Sequence, residues 1–225
     1  MDNKSKNYNI LKGYNILLYF SGSMIMYEPN EECIVDFWQQ GIIKRLPVAS
    51  SNPNFMKAAA LLRESCTDRT TCLKDMREDY HRLFEGHGLP LAPAYGSIYK
   101  PEMETRENAA TVSDFYNSYG WVSKYKAQVS DDHLGVELLF LTILVEKYLV
   151  LDDDVCLVEI RSEIRRFIDQ HIFPWIPLWN NKMQECANSL CYKGIATLIY
   201  ACVQDIYALC DNYPAAVMQN DYLKN

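Results

Sequence analysis

Ser130-Asp131-Asp132-His133-Leu134-Gly135 leads straight into Val136-Glu137-Leu138-Leu139-Phe140-Leu141-Thr142-Ile143-Leu144-Val145. The second part is apolar on every side of a 3.6-residue repeat, the pattern of a helix buried all round. Running to about Leu151, it is too short for a bilayer and is interrupted by Glu137, Glu146 and Lys147, so it reads as a central core helix. A chain that surrounds one helix with others is an all-α, single-domain helical bundle. The polar hexapeptide supplies the helix start. Ser130 or Asp131 is expected to be the N-cap, and Asp132 stands where the helix dipole favours negative charge. His133 brings no benefit to a helix start, so it is either a hydrogen-bonded neighbour of the cap or a functional group.

On the N-terminal side, Tyr8–Tyr27 reads as a helix ended by Glu28-Pro29-Asn30, and Glu31 to about Gln40 as a second. Pro47–Asn54 is a loop, with Asn54 capping a helix through Phe55, Met56, Ala59, Leu62 and Arg63. Asp68 is expected to cap the next, with Leu73, Met76, Tyr80, Leu83 and Phe84 on one stripe. The stretch Glu85-Gly86-His87-Gly88-Leu89-Pro90-Leu91-Ala92-Pro93-Ala94-Tyr95-Gly96-Ser97-Ile98-Tyr99 cannot hold regular structure throughout, yet it is rich in apolar residues. Such a loop packs on the body of the protein or on a partner. Glu104–Tyr119 is helical with Val112, Phe115, Tyr116 and Tyr119 inward.

On the C-terminal side, Asp152–Asp154 is a turn and Val155–Ile172 a helix, which Phe173-Pro174-Trp175-Ile176-Pro177-Leu178-Trp179 breaks. Helices Asn180–Tyr192 and Gly194–Asn212 follow, and loose tails are expected at 1–7 and 214–225. The whole of 1–225 reads as one domain, with no repeat and no linker.

The 225 residues carry a net charge of −7, which argues against a nucleic-acid partner and favours a basic one. No apolar run suits a signal peptide or a membrane span, so no stable membrane insertion is expected. The eight cysteines form no C-x-x-C pair and fall mostly in apolar helical patterns, as buried reduced thiols of a cytoplasmic protein would. There is no phosphate-binding glycine loop, no H-E-x-x-H and no G-x-S-x-G. His133 and Glu137, four apart, could share a helix face as two metal ligands, a spacing common by chance. No metal and no cofactor are expected from it.

Three stretches are similar to one family. They are Tyr80-x-x-Leu83-Phe84 with the loop Gly86…Leu89-Pro90…Ala92-Pro93…Tyr95-Gly96-Ser97-Ile98-Tyr99, then Asp132-His133-Leu134-Gly135, then Phe173-Pro174-Trp175. In order and spacing they resemble the TorD/DmsD/NarJ family of redox-enzyme maturation chaperones, and most of all its DmsD branch. The family's usual Glu-Pro ahead of the Asp-His pair is replaced by Val129-Ser130, and a loop aromatic by Gly88. The resemblance implies a TorD-like all-helical chaperone and no enzymatic activity. Its partners would be the twin-arginine leader and the apo form of a molybdenum-cofactor oxidoreductase of the DMSO reductase type, held for cofactor insertion before export, together with components of the twin-arginine translocase. Peptide-binding residues implied in this way are Tyr80, Leu83, Phe84, Pro93, Tyr95, Asp132 and His133. The chemistry of the leader adds Asp131 as a second acid for its two guanidinium groups, and Leu89 and Trp175 as further apolar contacts. The alternatives are a helical metal- or nucleotide-dependent enzyme using His133 and Glu137, or a scaffold subunit of an oxidoreductase complex.

Overall fold

A computed structural model describes residues 3–34, 46–65, 69–85, 89–100 and 105–211, and among these every regular element is helical. The helices are α1 (Asn3–Met26), α2 (Glu31–Ile34), α3 (Pro53–Glu64), α4 (Arg69–Tyr80), α5 (Gly96–Tyr99), α6 (Thr105–Ser118), α7 (Leu134–Val150), α8 (Asp154–Phe167), α9 (Ile176–Cys186) and α10 (Leu190–Asp211). Two π-helical turns, His81–Glu85 and Ile168–Ile172, extend α4 and α8.

The central apolar helix is α7. Leu134, Val136, Leu138, Phe140, Leu141, Leu144 and Val145 are all buried, and the helix packs between α1 and α8. A second axis is α10, which lies against α3, α1, α9 and α8. Two glycines let these helices close up. A Cβ on Gly135 would overlap Met26 of α1, and one on Gly194 would come within 2.8 Å of Leu62 Cγ of α3. An aromatic layer of Phe115, Tyr116, Phe140 and Phe167 joins α6, α7 and α8, with ring centroids about 5–6 Å apart.

Several boundaries differ from the sequence reading. Asn52, not Asn54, caps α3: its side chain accepts from Asn54 N–H at 2.9 Å, and Pro53 takes the first helical position, where no N–H is needed. Pro177 likewise sits in the first turn of α9 rather than in a break, so α9 begins at Ile176 and ends at Cys186. α10 starts at Leu190, well before Gly194. The expected helix Val155–Ile172 begins one residue earlier, at Asp154, and its last five residues form a π turn. α1 starts at Asn3 and so takes in part of the expected 1–7 tail. The expected cap Asp68, the glycines Gly86 and Gly88, the stretch 35–45 and the tail from Pro214 lie outside the described residues. Among the described residues, no helix is long and apolar enough to cross a membrane.

Candidate functional site

The N-terminus of α7 is built differently from the expectation. Neither Ser130 nor Asp131 is the cap. His133 is, with an extended backbone and Nδ1 accepting from Gly135 N–H at 3.0 Å. That role requires a ring nitrogen with a free lone pair. Burial supplies it by holding the imidazole neutral, with its pKa pushed down to about 4 against the opposing pull of Asp132.

Asp131 and Asp132 then point to different neighbours. Asp131 turns toward α6, where its Oδ2 accepts from Ser113 Oγ and lies 3.8 Å from Lys126 Nζ, while its carbonyl accepts from Tyr116 OH at 3.1 Å. Asp132 turns toward the 89–100 segment. Its Oδ2 accepts from Ser97 N–H at 3.0 Å and its carbonyl from Gly96 N–H at 3.0 Å. Tyr95 and His133 form an isolated antiparallel bridge, their rings meet edge-on with centroids 4.9 Å apart, and Leu134 N–H donates to the Ala94 carbonyl at 2.7 Å.

The two π turns grip the same segment. Widening a helix to i→i+5 bonding frees carbonyls that an α-helix would use, and such turns concentrate at functional sites. The Arg82 and Leu83 carbonyls accept from Leu91 N–H (3.1 Å) and Ala92 N–H (3.0 Å). At the other turn the His171 carbonyl accepts from Trp175 Nε1 (2.7 Å) and Lys100 Nζ (3.4 Å). Trp179 Nε1 donates to the Ala92 carbonyl, and Trp175 stacks on Tyr99 at 5.7 Å. The segment is therefore tied at its start, middle and end to elements far apart in the chain.

The sequence-derived candidates around these ties fall into three tiers of burial. Leu83, Asp132 and Trp175 are fully buried, and Tyr80, Asp131 and His133 nearly so. Phe84, Pro93 and Tyr95 are half-buried, with Phe84 packed edge-on between Tyr80 and Tyr192. Leu89 is 93 % exposed, and Leu91 and Ile98 of the same segment are also exposed. Four residues escaped the sequence reading as parts of this site. Ser97 and Lys100 hold the segment, His171 supplies a carbonyl, and Glu137, weighed only as a metal ligand, is fully buried in the first turn of α7. The one signal for Lys100 was a cation directly following the apolar loop. Among the described residues no three His, Cys, Asp or Glu side chains converge as metal ligands.

No curated protein sequence matches the chain significantly. The family model described as nitrate reductase delta subunit matches residues 49–181, a stretch that holds every candidate residue from Tyr80 to Trp175. It is the NarJ/TorD type of chaperone family to which the loop and Asp-His motifs pointed. With more than half of its length matched, the chain belongs to the nitrate reductase delta subunit family, a family of redox-enzyme maturation chaperones.

Proposed function

We propose that the protein is a binding chaperone, not an enzyme, that takes the twin-arginine leader of an apo molybdenum-cofactor oxidoreductase and holds that subunit for cofactor insertion before export. It works in the cytoplasm and delivers its client to the twin-arginine translocase. One observation carries the reading. The 89–100 segment shows Leu89, Leu91 and Ile98 to solvent while its backbone is tied to Asp132 and His133. Exposed leucine and isoleucine beside an acid is the chemistry that fits a peptide with arginines followed by an apolar run. Leu89, Phe84, Pro93 and Tyr95 would receive the apolar run, with Tyr80, Leu83 and Trp175 as the wall beneath. Asp132 would take a guanidinium, His133 would orient Asp132, and Asp131 would hold the turn through α6 and offer the second acid. The family's description favours a nitrate-reductase-type client, while the loop and Asp-His motifs favour one of the DMSO reductase type.

Titration with leader peptides of both client types tests this. Asp132→Asn keeps the volume and most of the hydrogen bonding but removes a charge, so it should cost about 1.5–3 kcal/mol of affinity, tenfold or more. Salt should weaken wild-type binding more than variant binding, and peptides with both arginines replaced by glutamine should not distinguish the two. A variant that melts earlier yet binds with wild-type affinity and salt dependence would reduce Asp132 to a structural residue.

A further inference from the structure

α1 packs against α7 and α10, and one narrow stripe of it is left in solvent. The stripe is Tyr8, Lys12, Ile16, Tyr19, Ser23 and Tyr27. Tyr8, Ile16, Tyr19 and Tyr27 are between 42 and 63 % exposed, Lys12 is exposed and Ser23 half-buried. The steps along it are four, four, three, four and four residues, so its spacing reads the same from either end. Turned end over end about a point between Leu17 and Leu18, Tyr8 falls on Tyr27, Lys12 on Ser23 and Ile16 on Tyr19. The flank on the α7 side is apolar at both ends. Asn15 Nδ2 donates to Glu146 at 3.4 Å, which places Val150, exposed and one turn on, beside the Tyr8–Lys12 end. At the other end Tyr125 meets Tyr27 edge-on, with ring centroids 5.9 Å apart. Beside Ser23 opens a hollow of about 320 Å³, walled by Tyr19, Tyr27 and Tyr125 and floored by Gly22, Met26 and Leu139.

We propose that this stripe is the interface of a twofold dimer, in which a second copy of the chain lays its α1 antiparallel across the first. A twofold contact needs a surface that is complementary to itself, and the palindromic spacing provides one. A helix of an unrelated partner asks for no such symmetry. Each copy sets Ile16 over Tyr19 of the other and the aliphatic stem of Lys12 over Ser23, at the mouth of the hollow. The Lys12 ammonium then reaches the rings of Tyr19 and Tyr27 and, about a turn further, the half-exposed carboxylate of Glu28. Charge fixes the direction. Antiparallel copies bring Lys12 toward Glu28, whereas parallel copies stack lysine on lysine and glutamate on glutamate. The same turn carries Val150 toward Tyr125 of the other copy and so extends the apolar contact beyond α1. Tyrosine, which supplies three of the six positions, is the kind of residue enriched where proteins meet. The dimer stands apart from peptide binding, since it uses neither Asp132 nor His133.

Sedimentation of the full chain over a range of concentrations should show a monomer–dimer equilibrium. Tyr19→Asp should raise the dissociation constant of the dimer about hundredfold, because a twofold interface contains each substitution twice. Charge exchange at two surface positions tests the register. Lys12→Glu brings an acid toward Glu28 of the other copy, and Ser23→Lys sets lysine over lysine, so each alone should weaken the dimer about tenfold. Lys12→Glu with Ser23→Lys joins opposite charges across the axis and should restore the wild-type constant. A chain that stays monomeric at every concentration overturns the dimer. So does a dimer that ignores Tyr19→Asp, or one that the paired exchange leaves as weak as the single variants. A monomer whose binding of a leader peptide is weakened by Tyr19→Asp would assign the stripe to the client instead. A monomer in which removal of residues 214–225 quickens hydrogen exchange along α1 would assign it to the chain's own tail. Either result also overturns the second copy.

Discussion

Asp79 and Glu137 are both buried carboxyls on helices of the same bundle, and they are treated in opposite ways. Asp79, at the end of α4, is saturated. Arg82 Nη1 reaches Oδ1, Asn188 N–H reaches both oxygens at 2.9 and 3.1 Å, and Ser189 N–H reaches Oδ2 at 2.6 Å. It anchors from a distant helix the two residues that lead into α10, so its charge is structural. No donor among the described residues bonds to either oxygen of Glu137. Polar groups that the fold satisfies are mortar, whereas a buried group left unsatisfied points to something that arrives later or moves.

The sharpest way to break this contrast is at Asp79. Asp79→Ala removes a buried carboxylate that holds two backbone donors, on exposed Asn188 and half-buried Ser189, and a half-exposed guanidinium, and should lower unfolding free energy by about 3 kcal/mol in denaturant titrations. A loss under about 1 kcal/mol would mean that the start of α10 does not depend on this anchor.

Acid probes the unsatisfied side. His133 and His171 are buried, and burial pushes each pKa down to about 4, with Lys100 and Arg166 adding to the effect at His171. The unfolded chain takes up protons below about pH 6.5 and the folded one only near 4, so stability is lost as pH falls through that window. Wild type should therefore lose its advantage over His171→Gln by up to about 1.4 kcal/mol per pH unit, about 2–3 kcal/mol in all. A constant difference from pH 7 to pH 4.5 would show that His171 takes up its proton in the folded state as readily as in the unfolded chain.

The smallest effect has the opposite sign. Burial holds the Glu137 carboxyl well above its ordinary range, so rising pH draws a proton from the unfolded chain first and costs stability above about pH 5. Glu137→Met, similar in volume, removes the buried carboxyl and should raise stability at pH 8 by about 1–2 kcal/mol, with the gain shrinking toward pH 5. A loss comparable to that of Asp79→Ala would erase the distinction between the two carboxyls.

The fold was largely legible because most of its helices bury a repeating apolar face, and α7 buries all sides of its first three turns, Leu134–Val145, before Glu146, Lys147 and Val150 reach solvent. What escaped depended on contacts remote in sequence. His133 becomes a cap only because its surroundings exclude water and keep its ring neutral, which spacing does not reveal. Pro53 and Pro177 read as breakers, yet each stands in a first turn. Ser189 Oγ caps α10 locally by accepting from Tyr192 N–H at 3.2 Å, but the carboxylate that anchors Asn188 and Ser189 ahead of the helix comes from more than a hundred residues away. For the candidate site, the exposed apolar loop and the Asp-His pair were each visible, and resemblance alone suggested that they belong together. The backbone bonds from Gly96 and Ser97 to Asp132 are the physical link. Lys100 drew no notice because a single lysine carries no pattern, and Glu137 drew it only as a metal ligand spaced four residues from His133.

The position of α10 has a consequence for the birth of the protein. This helix covers faces of both α1 and α3, so nearly two hundred residues must be made before either helix finds the surface that completes its burial. Contacts of such long sequence separation slow folding and leave apolar faces bare in the meantime. A ribosome paused anywhere before Leu190 would hold a chain with α1 and α3 half-dressed, a client for other chaperones before it is one itself.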